Sequence, residues 1–558
     1  MKLRVLDGIA YGIFLAVVVG ISVSYVRQET GFYSWDYADY QNYAILVAEA
    51  FRNSLGEGWE FIQLSLGQQK NALHTLPILP FLWLGENSRI AYSLGLALVY
   101  LVPFCLGLGA IAQELPFPHL HHWGRRSRFW FASFLALLIP MTWVPFLRGY
   151  PDLGGATLLI WASWLYLCDP RLHRGRSILG LGLLIGLAIL FRRHFAYPAL
   201  SLLLAAALSQ GSLDRKRWRP MLGVWLRLAM VGTVALLLML AIAPDFTQSA
   251  LTTDFSSRYE RWQLPVSVML ERTGLAYGWG LWGLALLGWL LSQGWPSQRW
   301  RFVSWASLLS LGILLFHLRY GNVHYTLHLT PWLVLALLAL LNELQRRWRW
   351  GIVVLGAYLT VNLSLGLGVS VPTPSLGDLF ARSYAPLVRE DHEVLQRLLG
   401  RLQELSQQQQ QIALLAASNH LNTSMFNSEQ FQQFPDAPPL TLLPVAIFDG
   451  EVSPLEMVLK ADVVAVATPA QVISLEEEQV VRSRSQTQLE YLSQAFSQNC
   501  AIAQDFRRLP ESFELGRPQG YAPTEKGITV WLYQRQQPTS ARVEAVTREQ
   551  MSELRPCS

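Results

Sequence analysis

Apolar runs of about a membrane's width recur from the first residues to about residue 371, separated by short polar turns. The first, Met1 to Val26, opens basic at Lys2 and Arg4 and then turns apolar. A cleavable signal peptide is its rival, but Ser22-Val23-Ser24-Tyr25 makes a poor small-residue cleavage site, so the run reads as an uncleaved first helix. Further spans are expected near 88–112, 129–147, 153–168, 178–191, 195–208, 221–244, 275–292, 302–318, 325–342 and 351–371. Together these predict an α-helical polytopic membrane protein of about eleven transmembrane helices. The transmembrane part, 1–371, includes an outer loop, 27–87, in which Val47 to Phe51 and Leu76 to Leu84 form apolar pieces suited to the interface plane.

Beyond it the pattern changes. Pro372, Pro374 and Gly377 mark a linker over 372–384, and 385–558 reads as a small α/β domain. Asp391 to Gln408 has the period of an amphipathic helix and Ser485 to Phe496 reads as helical. Strands are expected at Ile412 to Ala417, Leu440 to Phe448, Asp462 to Ala467 and Thr529 to Tyr533. The domain has no Gly-rich phosphate loop and no nucleophile elbow, so a structural or acceptor-docking module is favoured.

Basic residues orient the chain. Arg125-Arg126 with Arg128, then Arg171, Arg174 and Arg176, then Arg215-Lys216-Arg217 with Arg219 occupy alternate turns. Arg299 with Arg301 and Arg346-Arg347 with Arg349 continue the series on the side of Lys2 and Arg4. That side is cytoplasmic by the positive-inside rule, and an odd number of spans sends the C-terminal domain outside. Composition agrees with a membrane protein: 52% of residues are hydrophobic, only 15% are charged, and 21 Trp and 20 Tyr suit the interfaces. A formal charge of +5 over 558 residues argues against a nucleic-acid footprint. Cys105 and Cys168 fall in apolar helices as packing residues, while Cys500 and Cys557 lie in the outer domain, where a disulfide is allowed but not fixed by spacing. No Cys/His spacing resembles a zinc site.

Charges on the outer side are not needed for topology, so they carry the candidate chemistry. Asp36 and Asp39 stand in Tyr33-Ser34-Trp35-Asp36-Tyr37-Ala38-Asp39-Tyr40, three apart, on one face of any helix that begins there. A plain helix N-terminus would also favour them. Asp152 sits in the turn Arg148-Gly149-Tyr150-Pro151-Asp152, where a first-turn role competes in the same way. Arg148, Arg192-Arg193-His194 and Arg319 fall in short outer turns, and Arg258, Arg261 and Arg272 in the longer 245–274 loop. Interfacial anchoring explains several of these, but less well an Arg-Arg-His run between two short helices. Fixed guanidinium forks of this kind are what a phosphate or pyrophosphate at the outer face would need. His317, His324 and His328 gather near two outer helix ends, with His324 and His328 on one helical face. Hydrogen bonding to a polar ligand or backbone is favoured there over a metal pair, because no Glu completes a metalloprotease pattern.

Trp35-Asp36 with Asp39-Tyr40 and Tyr43, the turn Arg148 to Asp152, and Arg192-Arg193-His194 resemble the GT-C class of membrane glycosyltransferases. The likeness is nearest to the bacterial protein mannosyltransferase and aminoarabinose transferase group, and its topology covers residues 1–371. Members of the class commonly carry an adjacent acidic pair in the first outer loop; here the carboxylates are three apart. The resemblance implies an inverting hexosyl or pentosyl transferase of a bacterial-type inner (plasma) membrane. It would move sugar from a polyprenyl-phosphate-linked donor to a lipid, glycan or protein acceptor outside. It implies Asp36 as base with Asp39 the lesser candidate, and Asp152 orienting the acceptor or sharing a divalent ion. Arg192 and Arg193 would meet the leaving phosphate, with Arg148, His194 and Arg319 as further phosphate candidates and Tyr40, Tyr43 and His324 nearby. Magnesium or manganese at Asp36, Asp39 and Asp152 would suit hard oxygen ligands. The rivals are a transporter or flippase for a lipid-linked or small polar substrate, and a non-catalytic scaffold. Transporters usually carry midplane charges, repeats or broken helices, and no repeat is evident.

The orientation is tested by cysteine labelling from outside. Probes at Glu60, Glu260 and Gly450 are expected to react and one at Lys216 to stay protected. The reverse pattern at Lys216 and Gly450 moves the site to the cytoplasm.

Overall fold

The computed structural model describes all residues except 1, 31, 69, 119–123, 212–217, 254–259, 296, 348–349, 370–376, 435–436, 445–451, 473–482, 517–526 and 554–558. The charge run at Arg215, residues 372–376 of the expected linker, Arg258, part of the expected 440–448 strand and Cys557 lie outside the described residues. Contacts divide the chain into two units. The first holds Met1–Arg27, Tyr43–Thr253 and Leu264–Ala385; the second holds Gln28–Asn42, Asp254–Gln263 and Pro386–Ser558.

The first unit is helical. Helix α1 covers Lys2–Arg27, α2 Asp36–Asn53, α3 Leu55–Leu66, α4 Leu79–Leu84 and α5 Arg89–Leu96. A π-turn at Ala97–Leu101 continues α5 into α6, Val102–Glu114. Then follow α7 (Arg125–Leu137), α8 (Pro140–Leu147), α9 (Leu153–Cys168), α10 (Gly175–Phe191), α11 (Ala196–Gly211), α12 (Trp218–Ile242) and α13 (Pro244–Thr252). The series closes with α14 (Val266–Tyr277), α15 (Trp279–Ser292), α16 (Gln298–Gly312), α17 (Thr330–Arg347) and α18 (Gly351–Gly366). Each expected span falls on one or two of these helices, although 351–371 runs past Gly366 and out of the described residues. Four helices are long and apolar enough to cross a membrane, six if each bent pair is one span, and several shorter apolar helices accompany them. The chain is a multi-pass membrane protein.

Two spans are broken. α7 and α8 meet at 56°, where Pro140 opens α8 and lacks the N–H that would continue the ladder. α14 and α15 meet at 94° around Gly278, whose φ of +85° suits glycine. The expected span from residue 325 begins later, at Thr330, because Val323–His328 is a 3-10 helix. The outer loop gains a helix that its apolar pieces did not indicate, α3, whose Ser54 side chain accepts the Glu57 N–H as its N-cap.

The second unit is a small α/β fold, as expected. Helix α19 (His392–Gln407) and strand β1 (Ile412–Ala416) are followed by α20 (Thr423–Gln433), α21 (Pro454–Lys460), β2 (Val463–Gln471) and α22 (Arg484–Ser497). Strands β3 (Phe506–Leu515) and β4 (Ile528–Arg535) and helix α23 (Ala541–Glu553) complete it. The sheet order is β1-β2-β4-β3, with β1 and β2 parallel and the other pairs antiparallel. Among the described residues the segment near Leu442 makes a single bridge to Ile412 rather than a strand. β3 escaped the sequence pattern because FRRLPESFEL is mostly exposed, and its register breaks between Arg508 and Ser512.

The units differ from the expected division in where residues 28–42 and 254–263 fall. Phe32 is fully buried in the core of the second unit with Leu398, Met425 and Phe426, its ring 6.1 Å from that of Phe426. Thr30 donates its N–H to the Leu387 carbonyl, and Trp35 packs on the opposite face of the sheet. The acidic motif is therefore built into the C-terminal fold. The division between units falls inside α2, after Asn42.

Candidate active site

In the first unit the turn before α9 is fixed from α5. Arg89 donates to the Leu147 carbonyl at 3.1 Å and the Tyr92 hydroxyl to the Gly149 carbonyl at 2.8 Å, two contacts that one helical face supplies three residues apart. Gly149, at φ +92°, makes the reversal that L side chains resist. Arg148 is buried and donates to the Ala385 carbonyl at 2.7 Å, with its guanidinium 6.0 Å from the Tyr25 ring centroid.

Asp152 follows that turn and is fully buried. It is the N-cap residue of α9, but its side chain makes no capping hydrogen bond there. Instead Oδ1 accepts from His194 Nε2 at 2.6 Å, and Arg192 Nε stands 3.8 Å away. Two glycines allow this approach. A Cβ on Gly154 would meet the Phe191 ring at 2.2 Å, and one on Gly155 would meet the Phe195 ring at 2.3 Å. Phe191 and Phe195 bracket Arg192-Arg193-His194, so the absent methyls let that turn close on Asp152. The end of α10 is pinned a second time, by Asn71 donating to the Leu190 carbonyl, while the Tyr100 hydroxyl holds the His74 carbonyl. Nothing in the hydrophobic pattern of that polar loop signals these contacts.

His194 also reaches His328, Nδ1 to Nε2 at 2.9 Å. An ionised carboxylate only accepts, so Nε2 of His194 carries a proton. Nδ1 of a neutral His194 is then an acceptor, and His328 must donate from Nε2. Burial, reinforced by the Arg192 and Arg193 guanidiniums, holds the His194 imidazole well below its ordinary range. Burial and His194 do the same for His328. The His324 ring lies 5.4 Å from His194, 4.5 Å from Tyr150 and 4.2 Å from Tyr325 between centroids. His317 does not join them; it is exposed and packs on Tyr197 at 5.2 Å. Arg193 is half-buried in the turn, and Arg319 is half-buried at φ +55°, its carbonyl accepting from the Leu264 N–H.

Ligand atoms of Asp152, His194 and His324 lie within 4.8 Å of one another. One carboxylate oxygen and two imidazole nitrogens suit zinc better than the magnesium or manganese expected from carboxylates alone. An ion there would take the place of the proton now shared by Asp152 and His194.

In the second unit Asp36 and Asp39 occupy the first turn of α2, as the sequence led us to expect, and both are half-buried. Trp35 precedes them at φ +49°, and its carbonyl accepts the N–H groups of Ala38 and Asp39. Tyr40 is buried. Tyr43 belongs to the first unit, where its hydroxyl donates to Gln68 at 2.8 Å.

No protein-family model and no curated protein matches the chain. Among solved structures it is similar to ArnT from Cupriavidus metallidurans in the apo state, at 13% identity and a TM-score of 0.48, over 93% of this chain and 97% of that one. It is also similar to ArnT from the same organism bound to undecaprenyl phosphate, at 15% identity and a TM-score of 0.44, over 71% and 70%. At such values the likeness bears on the fold at most, and the functional reading rests on this chain's own residues.

Zinc added to chelator-treated protein is expected to raise the melting temperature by mass action. His324→Ala is expected to abolish that rise. No rise in the unsubstituted protein removes the metal and leaves the hydrogen-bonded arrangement.

Proposed function

We propose that the chain is a GT-C-type glycosyltransferase that moves a sugar from a polyprenyl-phosphate donor to an acceptor on the outer side of the membrane. The observation that supports it most is the turn Arg192-Arg193-His194, set between two apolar helices and closed on the buried Asp152. Two guanidiniums at such a helix end can meet an anionic headgroup whose tail stays in lipid. Asp152 holds Arg192 and His194 in place, which fixes the electrostatics before any charge develops.

In the reaction, an acceptor oxygen or nitrogen attacks the anomeric carbon, the bond to the donor phosphate oxygen breaks, and polyprenyl phosphate leaves. A phosphate departs without a general acid, so one carboxylate can suffice, and a single displacement inverts the centre. Asp36 is assigned as the base that takes the acceptor proton, with Asp39 the second candidate. Arg192 and Arg193 neutralise the leaving phosphate. A zinc ion at Asp152, His194 and His324 would add fixed positive charge near Arg192.

The disulfide at Cys500 supports an outer location for the C-terminal unit, since such bonds persist in oxidising compartments. The breaks at 56° and 94° favour a second reading, a transporter for the same lipid-linked substrate, because transporters use interrupted helices. The two readings differ in product: transfer releases free polyprenyl phosphate, and transport leaves the donor intact.

Asp36→Asn is expected to lower transfer about a hundred- to ten-thousandfold with folded yield kept, and Asp39→Asn to cost less. Arg193→Lys keeps the charge but loses the fork, and should lower turnover more than donor affinity. Full transfer in Asp36→Asn removes it as base, and Lys serving as well as Arg reduces Arg193 to an anchor.

A further inference from the structure

The sequence of the C-terminal domain carries no Gly-rich phosphate loop and no nucleophile elbow motif, and the second unit encloses the segment that carries the acidic motif. The loop after β1, Ser418 to Ser424, makes specific contacts with that segment. Ser424 Oγ accepts the backbone N–H of Trp35 at 2.7 Å, and Asn419 Oδ1 accepts its indole N–H at 3.0 Å. Both N–H groups of one residue are thus taken by one loop.

The loop is organised to do this. Ser424 donates its own hydroxyl to Asn422 Oδ1 at 2.8 Å, which turns an oxygen lone pair toward Trp35. Asn422 caps α20 through the Met425 N–H and donates to the Ser418 carbonyl at 2.8 Å. Ser418 Oγ in turn accepts the N–H groups of His420 and Leu421 and donates to Gln471 on β2 at 2.9 Å. The chain of contacts runs from the sheet to Trp35.

Trp35 needs holding. A φ of +49° is uncommon for a bulky aromatic residue and persists only where the surroundings impose it. Its carbonyl receives the N–H groups of Ala38 and Asp39, so its conformation sets where α2 begins and the direction in which the first turn leaves. Phe32, three residues earlier, is fixed in the domain core. Asp36 is the next residue after Trp35, and Asp39 shares its face.

We propose that the C-terminal unit is a positioning device for the acidic motif, with Asn419 and Ser424 acting through Trp35 on Asp36 and Asp39. The proposal rests on the reading of Asp36 as the base. Asn419 and Ser424 are positioning residues; they touch no reacting atom.

Hydrogen exchange on the full-length protein in detergent tests it, comparing Asn419→Ala, Ser424→Ala and Ser424→Thr. Each Ala variant is expected to speed exchange across residues 37–40 roughly tenfold, as the loss of one such hydrogen bond allows. Exchange in β2 and β4 should stay unchanged, and Thr, which keeps the hydroxyl, should restore protection. Transfer is then followed with a bacterial membrane lipid extract as the donor source. The Ala variants should lose turnover with an unchanged KM for donor, and should cost nothing further on an Asp36→Asn background. Unchanged exchange at 37–40 overturns the proposal. So does faster exchange with full transfer while Asp36→Asn abolishes transfer. Full transfer in Asp36→Asn itself overturns the assignment of the base, and the positioning role falls with it.

Discussion

A buried carboxylate is the constraint around which the membrane unit is arranged. Asp152 is fully buried, with an imidazole at 2.6 Å and a guanidinium nitrogen at 3.8 Å. Removing such a charge from water costs several kcal/mol unless partners meet it with good geometry. The sequence supplies the partners by making room for them: glycines at 154 and 155 admit Phe191 and Phe195, and the turn between those rings brings Arg192 and His194 inward. Arg89 and Tyr92 then hold the other side of the turn by its backbone, and the turn's own Arg148 side chain donates to the Ala385 carbonyl. Packing, electrostatics and the proposed phosphate recognition all follow from that one approach.

The second unit solves a different problem. Its sheet has apolar side chains on both faces, and the 28–42 segment contributes to each, Phe32 to one core and Trp35 to the other. Burying Phe32 among leucines stabilises the fold by roughly 1.5–3 kcal/mol. A segment that carries two candidate catalytic carboxylates is thereby tied to a domain joined to it only through the distant end of the chain.

The helical spans were legible because apolar runs of membrane width have few other uses, and the runs fall on helices, while the breaks at Pro140 and Gly278 did not show in the pattern. Asp36 and Asp39 were placed correctly on the first turn of a helix because short spacing decides that. What the sequence could not show is distance across the chain. Nothing local links Trp35 to Asn419, or Asp152 to His194. The contact of Arg148 with the Ala385 carbonyl is another that spans too much sequence to be read locally. The polar strand β3 and the cap-driven α3 follow weak patterns, and their tertiary partners decide them.

The central claim is that the Arg192-Arg193 turn receives a polyprenyl phosphate. Protein purified in detergent, incubated with bacterial membrane lipid extract and washed, can be analysed by mass spectrometry for retained lipid. The account predicts that polyprenyl phosphate or its sugar-linked form stays with the unsubstituted protein and is lost when Arg192 and Arg193 are both replaced by Gln. Equal retention by the two proteins, or retention of bulk phospholipid alone, contradicts it.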